Sequence, residues 1–381
     1  MPDPIYLDYN STTPVDPRVV EAMLPYFSTH YGNASSKSHP FGWFADASVE
    51  KARKTIAQYI GFSSEALTFT SGATEAINLS LRGLAVSLAK KGKHIVTANS
   101  EHSAVYETCK ILENYGFRVD YIDTDENGVV RTQDVLNLIT DDTILVSIMW
   151  ANNETGVINP VDILSQELST MDLVFMSDAT QILGKSPIGN TQPDIFVGSA
   201  HKFYGPKGVG FLAISDKVSD LAVQISGGGQ EGGIRGGTLN SPGIVGMGKA
   251  IELVQESIET EKARMTRLRD RFEKDLQSEL SNISVNGGLA DRLPQTSNIC
   301  FKGIRTDKLL RELRGVAASP GSACSSGSAE PSRVLLSMGL SNEDALSSVR
   351  FSLGRFTTED EIDQSVEQII EAVRKSMKLS N

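Results

Sequence analysis

From about residue 65 to residue 215 the chain alternates short runs rich in β-branched and aromatic residues with segments of helical length. That rhythm leaves few folds open. The strand candidates are 67–70, 94–98, 118–122, 144–149, 173–177, 194–198 and 208–214. Several are almost unbroken apolar runs, as expected of strands covered on both faces. The pattern predicts an α/β unit on a mainly parallel seven-stranded sheet with helices on both sides. A long charged helix is predicted over 244–280, and then the pattern changes. Strand candidates at 297–301 and 349–352 alternate with helices near 306–313 and 332–338. The last helix opens on a capping box, Thr358 with Glu361, and carries Ile362, Val366, Ile369, Ile370 and Val373 on one stripe. The expected organisation is a large unit over 15–258 and a smaller α+β unit formed by 1–14 with 259–381.

Charge and cysteine usage remove several function classes. The net charge is −11 and no basic run is interleaved with aromatics, which argues against direct binding to nucleic acid or to an anionic membrane. No apolar run approaches the roughly 18 residues that a membrane span needs. The first residues have neither a basic n-region nor an apolar h-region, so the expected compartment is the cytoplasm. Cys109, Cys300 and Cys324 are odd in number and far apart, which suits a reducing compartment. The histidines show no ligand spacing with them, so no metal site is expected.

In an open α/β sheet, ligands bind beyond the carboxyl ends of the strands. Five strand candidates here are each followed by unusual polar groups: Ser71, Gly72, Ala73, Thr74 and Glu75; Glu101 and His102; Asn152 and Asn153; Asp178, Thr180 and Gln181; and Ser199, His201 and Lys202. Taken singly, Ser71–Thr74 is a turn with a helix cap, Asp178 is another cap, and Lys202 is a surface lysine. Together at one sheet edge they match what pyridoxal 5'-phosphate requires. That cofactor needs a lysine for its aldehyde, an acid for its ring nitrogen and a phosphate cup. Lys202, Asp178 and the group Gly72–Thr74 with Ser199 and His201 supply those parts. Apolar surroundings and nearby positive charge would lower the lysine pKa and make it a usable base.

The chain resembles the cysteine desulfurases, the NifS/IscS-like branch of the class V aminotransferases. The resemblance rests on YLDYNSTTP (6–14), TSGATE (70–75), EH (101–102), NNETG (152–156), SDATQ (177–181), SAHK (199–202), RGGT (235–238) and GSAC (321–324). It implies a fold-type I pyridoxal-phosphate enzyme that works as a homodimer with its active sites at the subunit boundary. By position it makes Lys202 the Schiff-base lysine and places His102 over the pyridine ring as a stacking and acid–base group. Asp178 would pair with the ring nitrogen, Gln181 would contact the ring hydroxyl, and Asn153 would lie beside cofactor and substrate. Ala73, Thr74, Ser199 and His201 would hold the phosphate, with Thr238 reaching it from the other subunit. Arg350 matches the arginine that clamps the substrate carboxylate, a bidentate task suited to a planar guanidinium.

The cysteines divide by their surroundings. Cys109 falls on a helical face with Val105 and Leu112, and Cys300 sits in an apolar strand, so both read as core. Cys324 lies in a Ser/Gly-rich loop without a bulky neighbour, which leaves its thiol exposed. The resemblance then implies the reaction. Lys202 removes the Cα proton of L-cysteine, and the Cys324 thiolate takes the substrate sulfur as a persulfide. L-alanine leaves, and the sulfur passes to a protein acceptor. The Gly-Ser-Ala-Cys context is similar to the group of the family with the long cysteine loop. Gly232 and Gly236 depart from the family, standing where many relatives carry arginine and serine. The sequence ends at Asn381 without the longer tail that some relatives use to dock a scaffold, so an acceptor other than the usual iron–sulfur scaffold is an open expectation. Two alternatives share the cofactor residues. One is a class V aminotransferase, selenocysteine lyase or sulfide-releasing cysteine lyase, which does not need Cys324. The other is a non-enzymatic scaffold subunit, which has no chemical need of Lys202, Asp178 and His102.

Overall fold

The computed structural model describes residues 4–189, 192–320 and 330–378. In chain order its strands are β1 (Ile5–Tyr6), β2 (Leu67–Thr70), β3 (His94–Ala98), β4 (Arg118–Ile122), β5 (Thr143–Ser147), β6 (Val174–Asp178), β7 (Ile195–Ser199), β8 (Gly210–Ile214), β9 (Ile283–Val285), β10 (Thr296–Phe301), β11 (Val316–Ala317), β12 (Ser319–Pro320) and β13 (Ser348–Ser352). Seven of them form one sheet in the order β2-β8-β7-β6-β5-β3-β4. Strand β8 runs against both its neighbours and the other pairings are parallel. This is the mainly parallel sheet that the apolar runs predict. β5 leaves the ladder two residues before the sequence pattern ends. Even so, Ile148 and Trp150 still donate to Met176 O at 3.1 Å and Asp178 O at 2.9 Å, so the chain stays beside β6 up to its polar end.

Helices cover both faces because both faces are apolar. Ile95, Leu145, Met176, Ile195 and Val197 point to the side of helices Ala73–Ser87 and Ser103–Glu113. Val96, Val146, Phe175 and Phe196 point to the side of helices Pro40–Ile60 and Val161–Leu168 and the first half of helix Ser241–Glu279. Asp178 and Val197 are register partners, so the acid projects from the first of these faces.

A second core lies around the antiparallel sheet β12-β13-β10-β9. Phe351 of β13 packs edge-on against Phe272 at 5.3 Å and Phe301 at 6.4 Å. The last helix, Glu359–Lys378, covers this sheet with Ile362, Val366, Ile369, Ile370 and Val373. Its capping box forms as the sequence predicts: Thr358 N–H donates to Glu361 Oε2 at 2.8 Å, and Glu361 N–H donates to Thr358 Oγ1 at 3.1 Å. Helix Ser241–Glu279 serves both cores, with Ile244, Met247 and Ile251 in the first and Met265, Leu268 and Phe272 in the second.

The two cores meet at a buried charge cluster. Arg355 donates from Nε to Glu261 at 2.7 Å and from Nη1 to Asp16 at 2.8 Å, and its guanidinium lies 4.3 Å from the Tyr204 ring centre. Lys185 Nζ lies 5.0 Å from the same ring and has no hydrogen-bond partner among the described residues. Burial lowers the Lys185 pKa to about 7, with Arg355 and Lys202 adding to the fall and Glu261 opposing it. The folded state therefore holds this proton less tightly than the unfolded chain, whose lysine titrates near 10.5. The resulting penalty is full below about pH 7 and fades as pH rises toward 10.5. Lys185→Met is expected to raise stability at pH 6 by on the order of 1–2 kcal/mol, the desolvation gain less the lost cation–π contact. Denaturant titrations at pH 6 and pH 9.5 should show the gain shrinking at the higher pH.

Candidate active site

Five strands of the large sheet deliver polar residues to one cavity of about 610 Å³. Gly72, Ala73 and Thr74 enter it after β2, His102 after β3 and Asn153 after β5. Asp178, Thr180 and Gln181 enter at the end of β6, and Ser199, His201 and Lys202 at the end of β7. Of the residues expected from the sequence, these include Ala73, Thr74, His102, Asn153, Asp178, Gln181, Ser199, His201 and Lys202. Arg350 adjoins the cavity through Asn153. Thr238 lies on an exposed loop and is not part of the cavity wall. Cys324 lies outside the described residues.

Lys202 follows β7 in a short 3-10 turn, Ala200–Lys202, which aims its side chain across the strand ends. Its Nζ donates to Asn10 O at 2.6 Å and Ser11 O at 2.7 Å. Asn10 is in turn tied down at every polar atom. Its N–H donates to Ser352 Oγ at 2.9 Å, and its Nδ2 donates to Thr296 Oγ1 at 2.8 Å and Asn153 O at 3.2 Å. Its Oδ1 accepts from Gln295 at 3.0 Å, and its carbonyl also accepts from Gln181 Nε2 at 3.0 Å. Sequence reasoning quoted the stretch 6–14 but gave Asn10 no role. An asparagine in a loop has no periodicity to betray it, and only the fold brings its partners together.

The electrostatics shift the amine toward its neutral form. Burial lowers the Lys202 pKa to about 8, Arg350 pushing further down and Asp178 and Asp8 pulling back. His201 is lowered to about 4, first by burial and then by Lys202 and Lys207. It is therefore a neutral imidazole at pH 7, with Nδ1 at 3.1 Å from Thr12 Oγ1. His102 caps helix Ser103–Glu113, its Nδ1 accepting from Ala104 N–H at 3.1 Å. That bond fixes the tautomer, leaving Nε2 to carry the proton of the neutral ring. The ring is exposed to the open cavity, yet the protein walls crowding it desolvate its charged form and lower its pKa, with Asp178 opposing. Glu101 beside it is fully buried, and burial with the Asp178 carboxylate raises its pKa well above the usual carboxylate range.

The residues fit an anionic, polar-ringed cofactor. Helix Ala73–Ser87 begins at Gly72 without a side-chain cap, so its first N–H groups are free to meet an anion beside Ser199, His201 and Lys207. Gln181 Oε1 and Thr180 Oγ1 are buried without partners among the described residues, and both residues line the cavity. Asp178 keeps Oδ1 on Thr180 N–H at 2.9 Å.

Arg350 is the central-strand residue of a buried sheet, not an edge residue. It donates from Nη1 to Asn153 O at 2.9 Å and from Nη2 to Asp8 Oδ1 at 2.7 Å. Its Nε is buried without a partner among the described residues. Asp8 is a second site-side residue that sequence reasoning left without a role.

A class V aminotransferase family model matches residues 5–364. The chain belongs to the cysteine desulfurase branch of the class V aminotransferases. A cysteine desulfurase IscS from Anaeromyxobacter dehalogenans is 48% identical, over 99% of this chain and 94% of the relative. A solved NifS-like protein superposes with a TM-score of 0.91 at 36% identity, covering 98% of this chain and all of that one. A solved SspA in complex with cysteine superposes with a TM-score of 0.81 at 34% identity, covering 93% of this chain and 100% of its own. Enzymes of this family are pyridoxal-phosphate-dependent, in agreement with the fit of the cavity.

Gly232 and Gly236 have different structural meanings. Gly232 has φ +62 and open space around it. At Gly236 a Cβ would lie 2.6 Å from Gly227 N, because the loop crosses itself there. A serine at 236 would separate the two passes of the loop, so the glycines at 227 and 236 are a matched pair.

With the cofactor removed, Lys202 is expected to titrate near pH 8, well below the ordinary lysine value near 10.5. Competitive acetylation followed peptide by peptide across pH measures this. Arg350→Met should move the midpoint upward, because the guanidinium is one cause of the fall. A wild-type midpoint above pH 10 would contradict the enclosed amine.

Proposed function

We propose that this chain is a cysteine desulfurase that converts L-cysteine to L-alanine and passes the sulfur from Cys324 to a protein acceptor. The observation that supports it most is the single cavity in which Lys202, Asp178, His102 and the open N-terminus of helix Ala73–Ser87 converge. Pyridoxal 5'-phosphate, when bound there, supplies a sink for the electron pair left at the substrate Cα on deprotonation.

The protein's own groups divide the remaining tasks. The N–H groups of Ala73 and Thr74, with Ser199 and His201, would hold the phosphate, and Gln181 would accept from the ring hydroxyl through its Oε1, which has no partner among the described residues. Asp178 would keep the ring nitrogen protonated, and His102 would face the ring. Lys202 Nζ would anchor the cofactor and move the proton at substrate Cα; a pKa of about 8 leaves roughly a tenth of the free amine neutral at pH 7. Arg350 takes the substrate carboxylate, with Asn153 beside it. The Cys324 thiolate forms a bond to the substrate sulfur as the Cβ–S bond breaks. Cysteine plus thiol then gives alanine plus persulfide with no external oxidant or reductant.

A homodimer is part of this reading. Leu24, Phe27, Tyr31, Phe41, Trp43 and Phe44 are exposed apolar residues on the helices and turns before β2. The loop that carries Thr238 lies beside helix Pro40–Ile60, held there by Arg53 on Glu231 at 2.7 and 3.0 Å. Burying these residues against a second copy would bring Thr238 toward the partner's phosphate site. Among the described residues no helix is long and apolar enough to cross a membrane. A cytoplasmic location suits two buried, unpaired cysteines.

Lys202→Ala should abolish alanine formation. Asp178→Asn should retain cofactor and lower kcat by about a hundredfold, because a neutral amide no longer holds the ring proton. Cys324→Ser should bind cysteine but form no persulfide and little alanine, whereas Cys109→Ser and Cys300→Ser should still form it. Alkylation mass spectrometry after incubation with cysteine, beside an alanine assay, reads all of these. Near-normal alanine from Cys324→Ser would assign the chain to a sulfide-releasing lyase or another reaction of the family.

A further inference from the structure

Tyr204 is two residues past Lys202 and has φ +66, a left-handed conformation that a bulky L residue adopts only when its surroundings hold it there. The surroundings do so from every side. Tyr204 N–H donates to Thr13 Oγ1 at 2.8 Å, and Tyr204 O accepts from Asp16 N–H at 3.0 Å. Thr13 in turn donates from Oγ1 to His201 O at 3.0 Å, closing the clamp over the Lys202 turn. The ring is 2% exposed, with Arg355 at 4.3 Å, Lys185 at 5.0 Å, and the Phe356 and Tyr9 rings at 5.8 and 6.4 Å. Its Oη accepts from the backbone N–H of Arg355 at 2.5 Å.

Arg355 follows β13 by three residues, and β13 carries Arg350. The hydroxyl of Tyr204 therefore grips the main chain that leaves Arg350, while its backbone is the main chain that leaves Lys202. The intervening stretch has no slack. A Cβ at Gly354 would lie 2.1 Å from the Tyr9 ring, and Leu353 N–H donates to Gln295 O at 2.9 Å. Gln295 in turn donates to Asn10, whose carbonyl receives Lys202 Nζ.

We propose that Tyr204 is a positioning residue that sets the spacing between the Lys202 amine and the Arg350 guanidinium by fixing both main-chain segments from behind the site. This rests on the reading of Lys202 and Arg350 as the groups that meet the two ends of the amino-acid substrate. A strained residue on the far side of the cavity wall has no contact with substrate, so its effect must travel through those two side chains. Small errors in that spacing are costly, since misplacing reacting groups by about 1 Å can cost on the order of a hundredfold in rate.

Tyr204→Phe removes only the acceptor for Arg355 N–H and keeps the ring and its volume. Thr13→Val, nearly isosteric, removes the other half of the clamp and is the second variant should the first fold poorly. Both are expected to lower kcat/KM for cysteine by about tenfold or more at temperatures well below their Tm. Both should also shift the acetylation midpoint of Lys202 upward in the cofactor-free protein, because an amine displaced from Arg350 is less strongly repelled. Amide exchange at residues 353–357 should quicken in Tyr204→Phe. A purely structural tyrosine would lower Tm while leaving kcat/KM and the Lys202 midpoint at wild-type values, and that result in both variants overturns the proposal. Lys202→Ala is the control that separates the two readings. If it is inactive while the Tyr204 and Thr13 variants behave as wild type, the function stands and the positioning role falls. If it is active, the function falls and takes the positioning role with it.

Discussion

Two hydrogen bonds from Lys202 Nζ to the carbonyls of Asn10 and Ser11 join parts of the chain that are nearly 200 residues apart. The N-terminal segment they hold runs from β1, paired with β11 beside the second core, to Asp16 at the start of helix Pro17–Met23. It passes across the carboxyl ends of the sheet on the way. Asn10 receives bonds from Gln181 and Gln295 and gives them to Asn153 and Thr296, so one asparagine ties β6, the turn after β5 and β10 to the lysine turn. The sheet supplies the polar groups, but this crossing segment closes them into a site. It also means that the two cores are not separable at the cavity, since the lid over one is threaded through the other.

That closure has an electrostatic cost the protein does not avoid. Two lysines, 185 and 202, are enclosed with their pKa values lowered to about 7 and about 8, and both lie near the guanidiniums of Arg355 and Arg350. Each holds its proton less tightly than an unfolded chain would, so the fold is weakened as pH falls from about 10.5 toward neutrality, and the penalty is full below that. In the role proposed for Lys202 the penalty has a use, because the same shift leaves part of the amine neutral at physiological pH. For Lys185 no such use touches the cavity. Its stacking on Tyr204 ties it instead to the backbone that aims Lys202.

Much of this architecture was legible. The seven main strands lie within a few residues of the predicted runs, because most of them are buried on both faces and therefore nearly continuously apolar; β4, RVDYI at the sheet edge, is only half-buried. The cavity residues were legible for a related reason: polar residues directly after such runs have one sheet edge to go to. What escaped was held by tertiary contacts with no periodic trace. β1 and β11 are two residues each, too short for any alternation to show, and they pair over more than 300 residues. Asp8 in its ion pair with Arg350, Asn10 at its crossing and Tyr204 at φ +66 are single residues whose partners come from remote segments. A glycine or asparagine at 204 would have hinted at a left-handed turn, whereas a tyrosine there conceals it. Gly236 shows the converse. Expected from the sequence as a departure from the family, it is against Gly227 a requirement of the loop's own crossing.

The chemistry of the buried thiols explains why a persulfide-forming site should not arise by accident elsewhere in this fold. Cys109 lies on the buried face of helix Ser103–Glu113, and burial pushes its thiol up to about 12, with the Glu101 and Glu113 charges adding. Cys300 lies in β10 with its Sγ toward Asp344 O at 3.5 Å, and burial pushes it up to about 11. At pH 7 their thiolate fractions are then about one in 10⁵ and one in 10⁴, against a few per cent for an ordinary exposed thiol. Thiolate, not thiol, attacks sulfur, and both groups are also walled off from the cavity by packed side chains. The two cysteines that serve the core are thereby disarmed by the same desolvation that activates Lys202. Burial favours the neutral form of every ionisable group, and it makes a base of an amine while it silences a thiol.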